Sequence, residues 1–429
     1  MSLMPRINRF CVLIFVLALA VRLTMLFQFH MYQVARSEAV RTAISLARTG
    51  DFADPYVLPT GFTAHNPPVY PALIAPLYAL WGDTLAADRA RFALNATAAS
   101  VQYALLPPIA MALGLGFWPG LLAGLGGALI PLHYWADSMG DFENTFTALF
   151  LELTLLQFLG FLKAASFEWR RAVKAGLLFG AGILLAPTVA PVLGGFVAIG
   201  YWRLRPARKT AIGWAAILAA TTLATLAPWL ARNYLQLGGI DFVRDDFGLE
   251  LFVSNQDGAT PVAEWNYARP YWLAAHPHDS SAAALEVRSG ESEFERRRLA
   301  AAVEWIRKHR RKFVSLTISR TVDFWFAVVP RFGWMLWIVT VLAGIGWFLL
   351  LWEAPDAAIS LGSVLIGYSA VFSLIETTIR YQQPIWWVLV LLNGWTFYFA
   401  FRRWRILNRI FVRRSRPVER PVGVGAFVD

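Results

Sequence analysis

Cysteine is almost absent from this chain of 429 residues, and that absence excludes two classes of protein. The single cysteine, Cys11, lies in the first apolar run, so neither a disulfide framework nor a site built on several thiolates can form. Histidine is also scarce, with six residues, and only His276 and His278 stand close together. That spacing by itself is weak evidence for a metal site.

Charge is the next scarce property. Charged residues make up 16% of the chain and hydrophobic residues 57%, and the mean hydropathy is +0.48. Soluble domains carry about a quarter charged residues. The composition therefore predicts an all-α polytopic membrane protein. The sequence also lacks an internal repeat, which many secondary transporters possess.

The net charge of +11 does not indicate nucleic-acid binding, because the basic residues are not gathered on a polar module. They crowd short loops between apolar runs and the C-terminal tail: Arg6, Arg9, Lys163, Arg170, Arg171, Lys174, Arg203, Arg205, Arg208, Lys209, Arg402, Arg403, Arg405, Arg409, Arg413, Arg414, Arg416 and Arg420. This distribution follows the positive-inside rule. It places both termini in the cytoplasm and excludes a nucleic-acid partner.

Apolar runs near 20 residues, the length that crosses a bilayer as a helix, predict about ten transmembrane helices. The expected spans are residues 10–29, 90–113, 116–134, 144–162, 212–230, 334–352, 357–375 and 384–401, with two short helices within 175–201 that turn at Pro187 and Pro191. Residues 69–81 are apolar but too few to span, so they predict a helix at the membrane surface.

The same pattern divides the chain into four parts. Residues 1–230 form an N-terminal transmembrane module whose loops 30–68 and 135–143 face the periplasm and are the expected place for any catalytic groups. Residues 231–332 form a long periplasmic segment with a helix at 291–308, residues 333–402 form C-terminal transmembrane helices, and residues 403–429 form a basic cytoplasmic tail.

Ionisable residues collect on the periplasmic side. They are Arg36, Glu38, Arg41, Asp51, Asp54 and His65 in the first loop, Asp137, Asp141 and Glu143 in the second, and Arg232 and Arg380 at helix ends. Carboxylates can take a proton from a hydroxyl or hold a divalent cation, and arginine suits a phosphate. From spacing alone, a site and ordinary solvated charges are equally good interpretations. A divalent metal is compatible with these groups, but no ligand spacing requires one.

Other conspicuous residues have simpler explanations. Most of the 19 tryptophans fall near expected span ends, as in the interfacial belt of membrane proteins. Four aromatic residues of the long segment are better candidates for contact with a sugar or an acceptor: Trp265, Tyr267, Tyr271 and Trp272. Arg22 and Glu152, inside expected spans, are interpreted as paired structural charges.

Several segments, in order along the chain, resemble one family. They are Ser37-Glu38 with Gly50 and Pro55, then His65-Asn66-Pro67-Pro68-Val69-Tyr70-Pro71, then Gly140 to Asn144, then Pro228-Trp229-Leu230-Ala231-Arg232-Asn233-Tyr234 with Gly238, Phe242, Arg244, Gly248, Glu250 and Asn255, and finally Arg380-Tyr381 with Pro384. The set resembles the GT-C superfamily of membrane glycosyltransferases, in the family 39-like branch that includes protein mannosyltransferases and lipid A aminoarabinose transferases.

The resemblance implies a glycosyltransferase of the bacterial inner membrane. It would move a sugar from a polyprenyl-phosphate donor to a periplasmic acceptor, among membrane lipids, with inversion at the anomeric carbon. The implied catalytic residues are Glu38, Glu143 and Asp141. The implied substrate-binding residues are Arg232, Arg380, Tyr381, His65, Asn66 and Asn233.

Two positions depart from the family pattern. Ser37 stands where the family usually has an aspartate, and Ala186 stands before Pro187 where many members have arginine or lysine. The first departure leaves Glu38 as the candidate base or indicates lost activity. Two alternatives to an enzyme therefore remain: a transporter of lipid-linked saccharides and a catalytically inactive membrane scaffold.

Overall fold

The computed structural model describes residues 4–28, 36–130, 142–163, 168–204, 207–239, 241–327 and 333–414. Within these ranges the regular structure is helical, apart from the isolated bridges Ala53–Phe62 and Val262–Thr377. The all-α prediction is confirmed.

The helices up to the long segment are α1 (Met4–Gln28), α2 (Glu38–Thr49), α3 (Val69–Trp81), α4 (Leu85–Ala112), α5 (Phe117–Leu129), α6 (Asn144–Leu162), α7 (Trp169–Leu185), α8 (Ala190–Leu204) and α9 (Arg208–Leu237). The long segment contains α10 (Phe247–Ser254), α11 (Ala263–Asn266), α12 (Pro270–Ala275), α13 (Ser281–Ser289), α14 (Glu291–Lys308) and α15 (Arg310–Trp325). The last helices are α16 (Gly333–Glu353), α17 (Pro355–Ser369) and α18 (Gln383–Arg414).

The protein is a multi-pass membrane protein. In the described part of the chain, six helical segments are long and apolar enough to cross a bilayer: Asn8–Gln28, Asn144–Leu162, Arg208–Leu237, Gly333–Glu353, Pro355–Ser373 and Ile379–Arg405. Helices α3 and α5 are apolar but shorter. The expected total of about ten spans stays a prediction. The surface position of α3 also stays a prediction, although its bounds match the expected ones.

Close helix contacts hold the bundle together. Helix α1 packs against α4 and α5, and α18 packs against α5, α6 and α16. A methyl group on Gly120 of α5 would lie 2.5 Å from Cα of Pro107 in α4, so only glycine permits this approach. Without a hydrophobic driving force between helices, such backbone proximity is a main source of association in membranes.

The break expected within 175–201 is confirmed. Helix α7 ends at Leu185, a 3-10 turn covers Pro187–Val189, and α8 follows. Gly176 lies beside Leu218, and Gly180 lies beside Thr225. From the first pair to the second, the residue number rises in both helices, so α7 runs parallel to α9.

Helix α8 returns in the opposite direction. Gly200, near its end, lies against the ring of Trp214, near the start of α9. The start of α7 and the end of α8 therefore lie at the same end of the bundle, where α9 begins. Pro187 causes the break between α7 and α8. Proline has no N–H to continue the hydrogen bonding of a helix, and it disfavours the helical conformation of the residue before it.

The loop of residues 50–68 is tied to the opposite end of α9 and to the long segment. Arg232 donates from Nη1 to the carbonyl of Thr63 and from Nη2 to that of Phe52, both at 2.7 Å. Asp245 N–H donates to the carbonyl of Ala64 at 2.8 Å. These backbone bonds fix the first loop against residues that lie far away in sequence, and this junction positions the site.

The two buried charges within the spans behave differently. Arg22 donates to the carbonyls of Ala18 and Gly127 at 3.3 and 3.4 Å and lies over the ring of Tyr103. Both carboxyl oxygens of Glu152 are buried and have no hydrogen-bond partner among the described residues. The expected pairing is therefore not found at Glu152 within that part of the chain.

Candidate functional site

Helix α2 begins at the site. The Ser37 hydroxyl accepts a hydrogen bond from Val40 N–H at 3.4 Å and so caps the helix. Glu38 follows in the first turn, where the positive end of the helix dipole stabilises a carboxylate. The serine that departs from the family pattern is thus a local helix cap, and the side chain that reaches the cavity described below is Glu38.

Three histidine rings surround Glu38. Nδ1 of His278 lies 3.5 Å from Oε1 of Glu38, and Nδ1 of His65 lies 3.1 Å from the Tyr56 hydroxyl. Burial raises the pKa of a carboxyl, but at Glu38 the rings of His65, His276 and His278 and a backbone N–H outweigh it, so its pKa is lowered. These rings lower the pKa only in their protonated form; at neutral pH the carboxylate form of Glu38 is the one that can accept a proton.

The ring of His65 is neutral at the same pH. Burial, followed by the positive charge of Arg244, lowers the pKa of His65 to about 3. Burial also lowers the pKa of His276, whose ring stacks on Trp272 with centroids 4.9 Å apart. Neutral imidazoles can exchange hydrogen bonds with a hydroxyl-rich ligand.

These residues line one cavity of about 300 Å³, near the lower end of the range for small-molecule sites. Its lining consists of Glu38, His65, Phe142, Arg244, Glu250, Tyr267, Trp272, His276, His278, Asp279, Glu376, Arg380 and Tyr381. The cavity therefore joins the first loop, the long segment and the start of α18. The predicted residues Glu38, His65, Arg380 and Tyr381 are brought together there.

The two arginines of the cavity have different environments. Nη2 of Arg244 lies 2.6 Å from Asp246, its Nη1 lies 3.8 Å from Glu143, and its Nε donates to the carbonyl of His65. The guanidinium of Arg380 lies over the rings of Phe142 and Tyr381, 4.0 and 5.3 Å from their centroids. In the described part of the chain, Arg380 has no carboxylate within salt-bridge distance. It is thus available to an anionic ligand.

The second loop is only partly described. Glu143 is buried, precedes α6 and reaches the cavity through its ion pair with Arg244. Asp141, the other acid predicted in this loop, lies outside the described residues, as does Asp137. No group of three or more His, Cys, Asp or Glu side chains among the described residues has the geometry of a metal site.

Three other predicted substrate-binding residues lie outside the lining of the cavity. Arg232 directs its donors to backbone carbonyls of the first loop and to Oδ1 of Asn233. Asn233 donates to the carbonyl of Phe242 at 2.8 Å. Asn66 donates to the Thr42 hydroxyl at 3.1 Å and so connects the loop to α2. Their contacts fix the backbone around the cavity.

Some residues that line the cavity were not predicted as site residues from the sequence, and most of these belong to the long segment. Burial raises the pKa of Glu250 to about 7 and that of Glu376 to about 8. Asn266 Nδ2 donates to Glu376 at 2.7 Å. Arg244 and Glu250 stand within the family-like segment, and the close pair His276 and His278 was a visible signal. Glu376 had no such signal.

Two of the four aromatic candidates line the cavity. Tyr267 and Trp272 do so, with ring centroids 4.9 Å apart, whereas Trp265 and Tyr271 do not. An aromatic face beside charged and hydrogen-bonding groups is a suitable surface for the apolar face of a sugar ring. Together with a carboxylate base and an arginine, the cavity can bind a sugar phosphate and deprotonate a hydroxyl.

No protein-family model and no curated protein sequence matches this chain. Solved structures do match in shape. The Archaeoglobus fulgidus oligosaccharyltransferase in its apo form gives a TM-score of 0.55 at 12% identity, covering 94% of this chain and 52% of that chain. The archaeal oligosaccharyltransferase AglB from the same organism, in complex with an inhibitory peptide and a dolichol-phosphate, gives 0.52 at 10% identity, covering 96% and 52%.

A third match, ArnT from Cupriavidus metallidurans bound to undecaprenyl phosphate, has a TM-score of 0.39 at 14% identity, covering 89% of this chain and 77% of that chain, and is too distant in shape to support an argument. The chain spans about half the length of the oligosaccharyltransferases it matches. At these identities the similarity shows that this chain shares the fold of the part of the oligosaccharyltransferases that it matches.

Proposed function

We propose that this protein is a glycosyltransferase that takes a sugar from a polyprenyl-phosphate carrier and transfers it to an acceptor hydroxyl. The observation that carries the proposal is that Glu38 and Arg380 line the same small cavity, the first as a partly buried carboxylate and the second as an arginine without a carboxylate partner in the described part. The fold shared with oligosaccharyltransferases, one of them bound to a dolichol-phosphate, supports it.

The reaction we propose is a single displacement. The acceptor oxygen attacks the anomeric carbon, the bond from that carbon to the phosphate oxygen breaks, and the carrier phosphate leaves with the electron pair. Glu38 takes the proton of the acceptor hydroxyl, and the configuration at the anomeric carbon is inverted. A carboxylate that lies beside hydrogen-bonding imidazoles fits the role of general base.

Arg380 is assigned to the leaving phosphate. Its planar guanidinium can bind two phosphate oxygens at once, and the Phe142 and Tyr381 rings on which it lies restrict its orientation. The charge of Arg244 is balanced by Asp246 and Glu143. We therefore assign Arg244 to positioning the first loop and to shaping the electrostatic potential of the cavity. Under this assignment Glu143 acts on the acceptor only through Arg244.

Sugar contact is assigned to other residues of the cavity lining. Tyr267 and Trp272 offer aromatic surface, while Glu250 and Glu376 can accept hydrogen bonds from sugar hydroxyls. The volume of the cavity, about 300 Å³, suits one sugar unit rather than an enclosed oligosaccharide. We place the site at the periplasmic face of a bacterial inner membrane, with both termini in the cytoplasm, because basic residues are concentrated at the other end of the bundle.

The test uses purified full-length protein in lipid nanodiscs with a panel of synthetic polyprenyl-phosphate sugars. Mass spectrometry follows the free polyprenyl phosphate and the glycosylated acceptor. We expect turnover of at least one donor by the wild type and a loss of about 100-fold or more in Glu38→Gln, the range for general base catalysis, with carrier binding retained. Glu286→Gln, an exposed glutamate of the long segment, is the matched control.

Two results would contradict the proposal. Binding of the carrier without turnover of any donor would favour an inactive scaffold. Translocation of the lipid-linked sugar to the opposite leaflet, at an equal rate in the wild type and Glu38→Gln, would favour a transporter of lipid-linked saccharides.

A further inference from the structure

A second cavity, of about 320 Å³, lies between α6, α7, α8 and α9. Its interior is formed by apolar and aromatic side chains: Phe158, Phe161, Phe179, Phe196, Trp214 and Leu218. Phe158 stacks on Phe196 with centroids 4.7 Å apart, and Phe161 stacks on Trp214 at 5.2 Å. These pairs from different helices form the inner wall of the cavity.

This cavity is remote from the one that contains Glu38. Trp214 and Arg232 lie on the same helix, about 27 Å apart along its axis at about 1.5 Å per residue. Arg232 bonds to the first loop, whereas Trp214 lies where α7 begins and α8 ends. The second cavity therefore opens near the basic end of the bundle.

Two polar groups of the cavity wall have no hydrogen-bond partner among the described residues. Within the described part of the chain, the indole N–H of Trp214 and the hydroxyl of Thr154 make no hydrogen bond, although both are buried, with exposures of 3% and 1%. Helical threonines usually bond to the carbonyl four residues earlier, as Thr147 does to Glu143 in the same helix. An unsatisfied buried polar group is destabilising, so both groups indicate a ligand that carries oxygen atoms.

The rim of the cavity is positively charged. Lys174 is exposed, and no hydrogen bond or ion pair to it is found in the part of the chain that the structure describes. Arg171 also lines the cavity and pairs with Glu168 at 3.2 Å. The ammonium of Lys174 is thus available to an anion that lies beside an apolar interior.

We propose that this cavity binds an anionic membrane phospholipid. An acyl chain fills the aromatic interior, the ester oxygens accept hydrogen bonds from the Trp214 N–H and from the Thr154 hydroxyl, and the phosphate lies at Lys174. The positive-inside rule explains the basic residues of the rim, but it does not account for the cavity or for the two buried polar groups that have no hydrogen-bond partner in the described part of the chain. The proposal does not depend on the glycosyltransferase assignment.

The experiment uses the full-length protein in nanodiscs of phosphatidylcholine. A phosphatidylglycerol analogue with a photoactivatable diazirine in its acyl chain is added, irradiated and mapped by peptide mass spectrometry. We expect crosslinks in peptides that contain Phe158, Phe179 and Phe196. Unlabelled phosphatidylglycerol should suppress them, and phosphatidylcholine at the same concentration should not.

Variants separate the polar contacts from the apolar volume. Lys174→Gln should weaken binding about fivefold, as expected from about 1 kcal/mol per basic residue near anionic lipid. Trp214→Phe, which keeps a stacking ring and removes the N–H, should also weaken binding. Arg170→Gln is the control, since this neighbouring arginine lies over Trp169 and does not line the cavity.

Three outcomes would overturn the proposal. Equal suppression by phosphatidylcholine would show an apolar cavity without headgroup selection. If Lys174→Gln bound phosphatidylglycerol as tightly as the wild type and had the same thermal unfolding midpoint, Lys174 would not contact the lipid phosphate. Suppression by polyprenyl phosphate at a lower concentration than phosphatidylglycerol would assign the cavity to the carrier lipid instead.

Discussion

The carboxylate of Glu38 lies 3.5 Å from Nδ1 of His278, although Glu38 opens α2 and His278 lies between α12 and α13. This Nδ1 is buried and makes no hydrogen bond within the described residues. A proton or a hydroxyl that arrives between the two side chains can therefore be shared by both. The long segment thus completes a site that the first loop begins.

This relationship predicts that Glu38 and His278 act as a unit. His278→Ala should lower the turnover number about tenfold, and the double variant with Glu38→Gln should be no slower than Glu38→Gln alone, because residues that act together are not additive. Steady-state rates of the four proteins form the cycle. His309→Ala, an exposed histidine of the long segment, is the control. Additive losses would separate the two residues.

Arg380 should determine affinity for the carrier phosphate. Arg380→Gln removes the cation, and Arg380→Lys keeps the charge but loses the planar pair of donors. We expect the dissociation constant for polyprenyl phosphate to rise at least tenfold in Arg380→Gln, since a charge-assisted hydrogen bond is worth about 1.5–3 kcal/mol. The rise should be smaller in Arg380→Lys. Native mass spectrometry measures it, with the exposed Arg288→Gln as control. Equal affinities for Arg380→Gln and the wild type would disprove the assignment.

Arg320 should stabilise the junction between the long segment and the connection from α17 to α18. It is fully buried and donates to Oδ1 of Asn255 at 3.1 Å, to the carbonyl of Leu374 at 2.9 Å and to that of Ser254. Arg320→Gln leaves buried acceptors without hydrogen bonds, which costs about 1–3 kcal/mol of folding free energy. The variant should therefore have a thermal unfolding midpoint several degrees lower. Arg307→Gln, near the exposed end of α14, should not. An unchanged midpoint would mean that water replaces these bonds.

Glu291 should make the long segment sensitive to pH. Its carboxyl accepts from Ala64 N–H at 2.6 Å, and burial raises its pKa to about 7 from an ordinary value of about 4.3. The folded chain therefore binds this proton more tightly than the unfolded chain. The resulting stability is complete below about pH 4.3 and is lost as the pH rises through about 7.

The measurement is amide hydrogen exchange of residues 241–308 between pH 5 and pH 8, corrected for intrinsic rates. Opening should increase with pH in the wild type and increase less in Glu291→Gln, which keeps an oxygen acceptor and cannot ionise. Glu286→Gln should behave like the wild type. An identical pH dependence in the wild type and Glu291→Gln would assign the effect to other groups, such as Asp245, whose pKa burial raises to about 8.

Much of the helical layout follows from local features of the sequence. The expected bounds of α3, α6 and α14 agree with the structure, and the break at Pro187 divides α7 from α8 as expected. These features depend on apolar runs, proline and charge spacing, which act over a few residues. The number of spans is harder to predict, because α5 and α7 have fewer residues than a helix needs to cross a bilayer. Only their packing against neighbouring helices shows where they lie.

The site was predicted in part. Glu38, His65, Arg380 and Tyr381 line the cavity, whereas Arg232, Asn66 and Asn233 bond to the backbone or to a neighbouring side chain. A sequence cannot distinguish Arg232 from Arg244 by type or by family-like context. The difference arises because the carbonyls of Phe52 and Thr63 lie within reach of Arg232.

The sequence by itself determined that this is a helical membrane protein with polar loops that carry acids and arginines, because hydrophobic length and charge placement act locally. Only the tertiary structure decided that His276, His278, Glu250 and Glu376 meet Glu38 around one cavity. The long segment folds back over the first loop through backbone hydrogen bonds and burial, and such long-range contacts leave no periodic signal in the sequence.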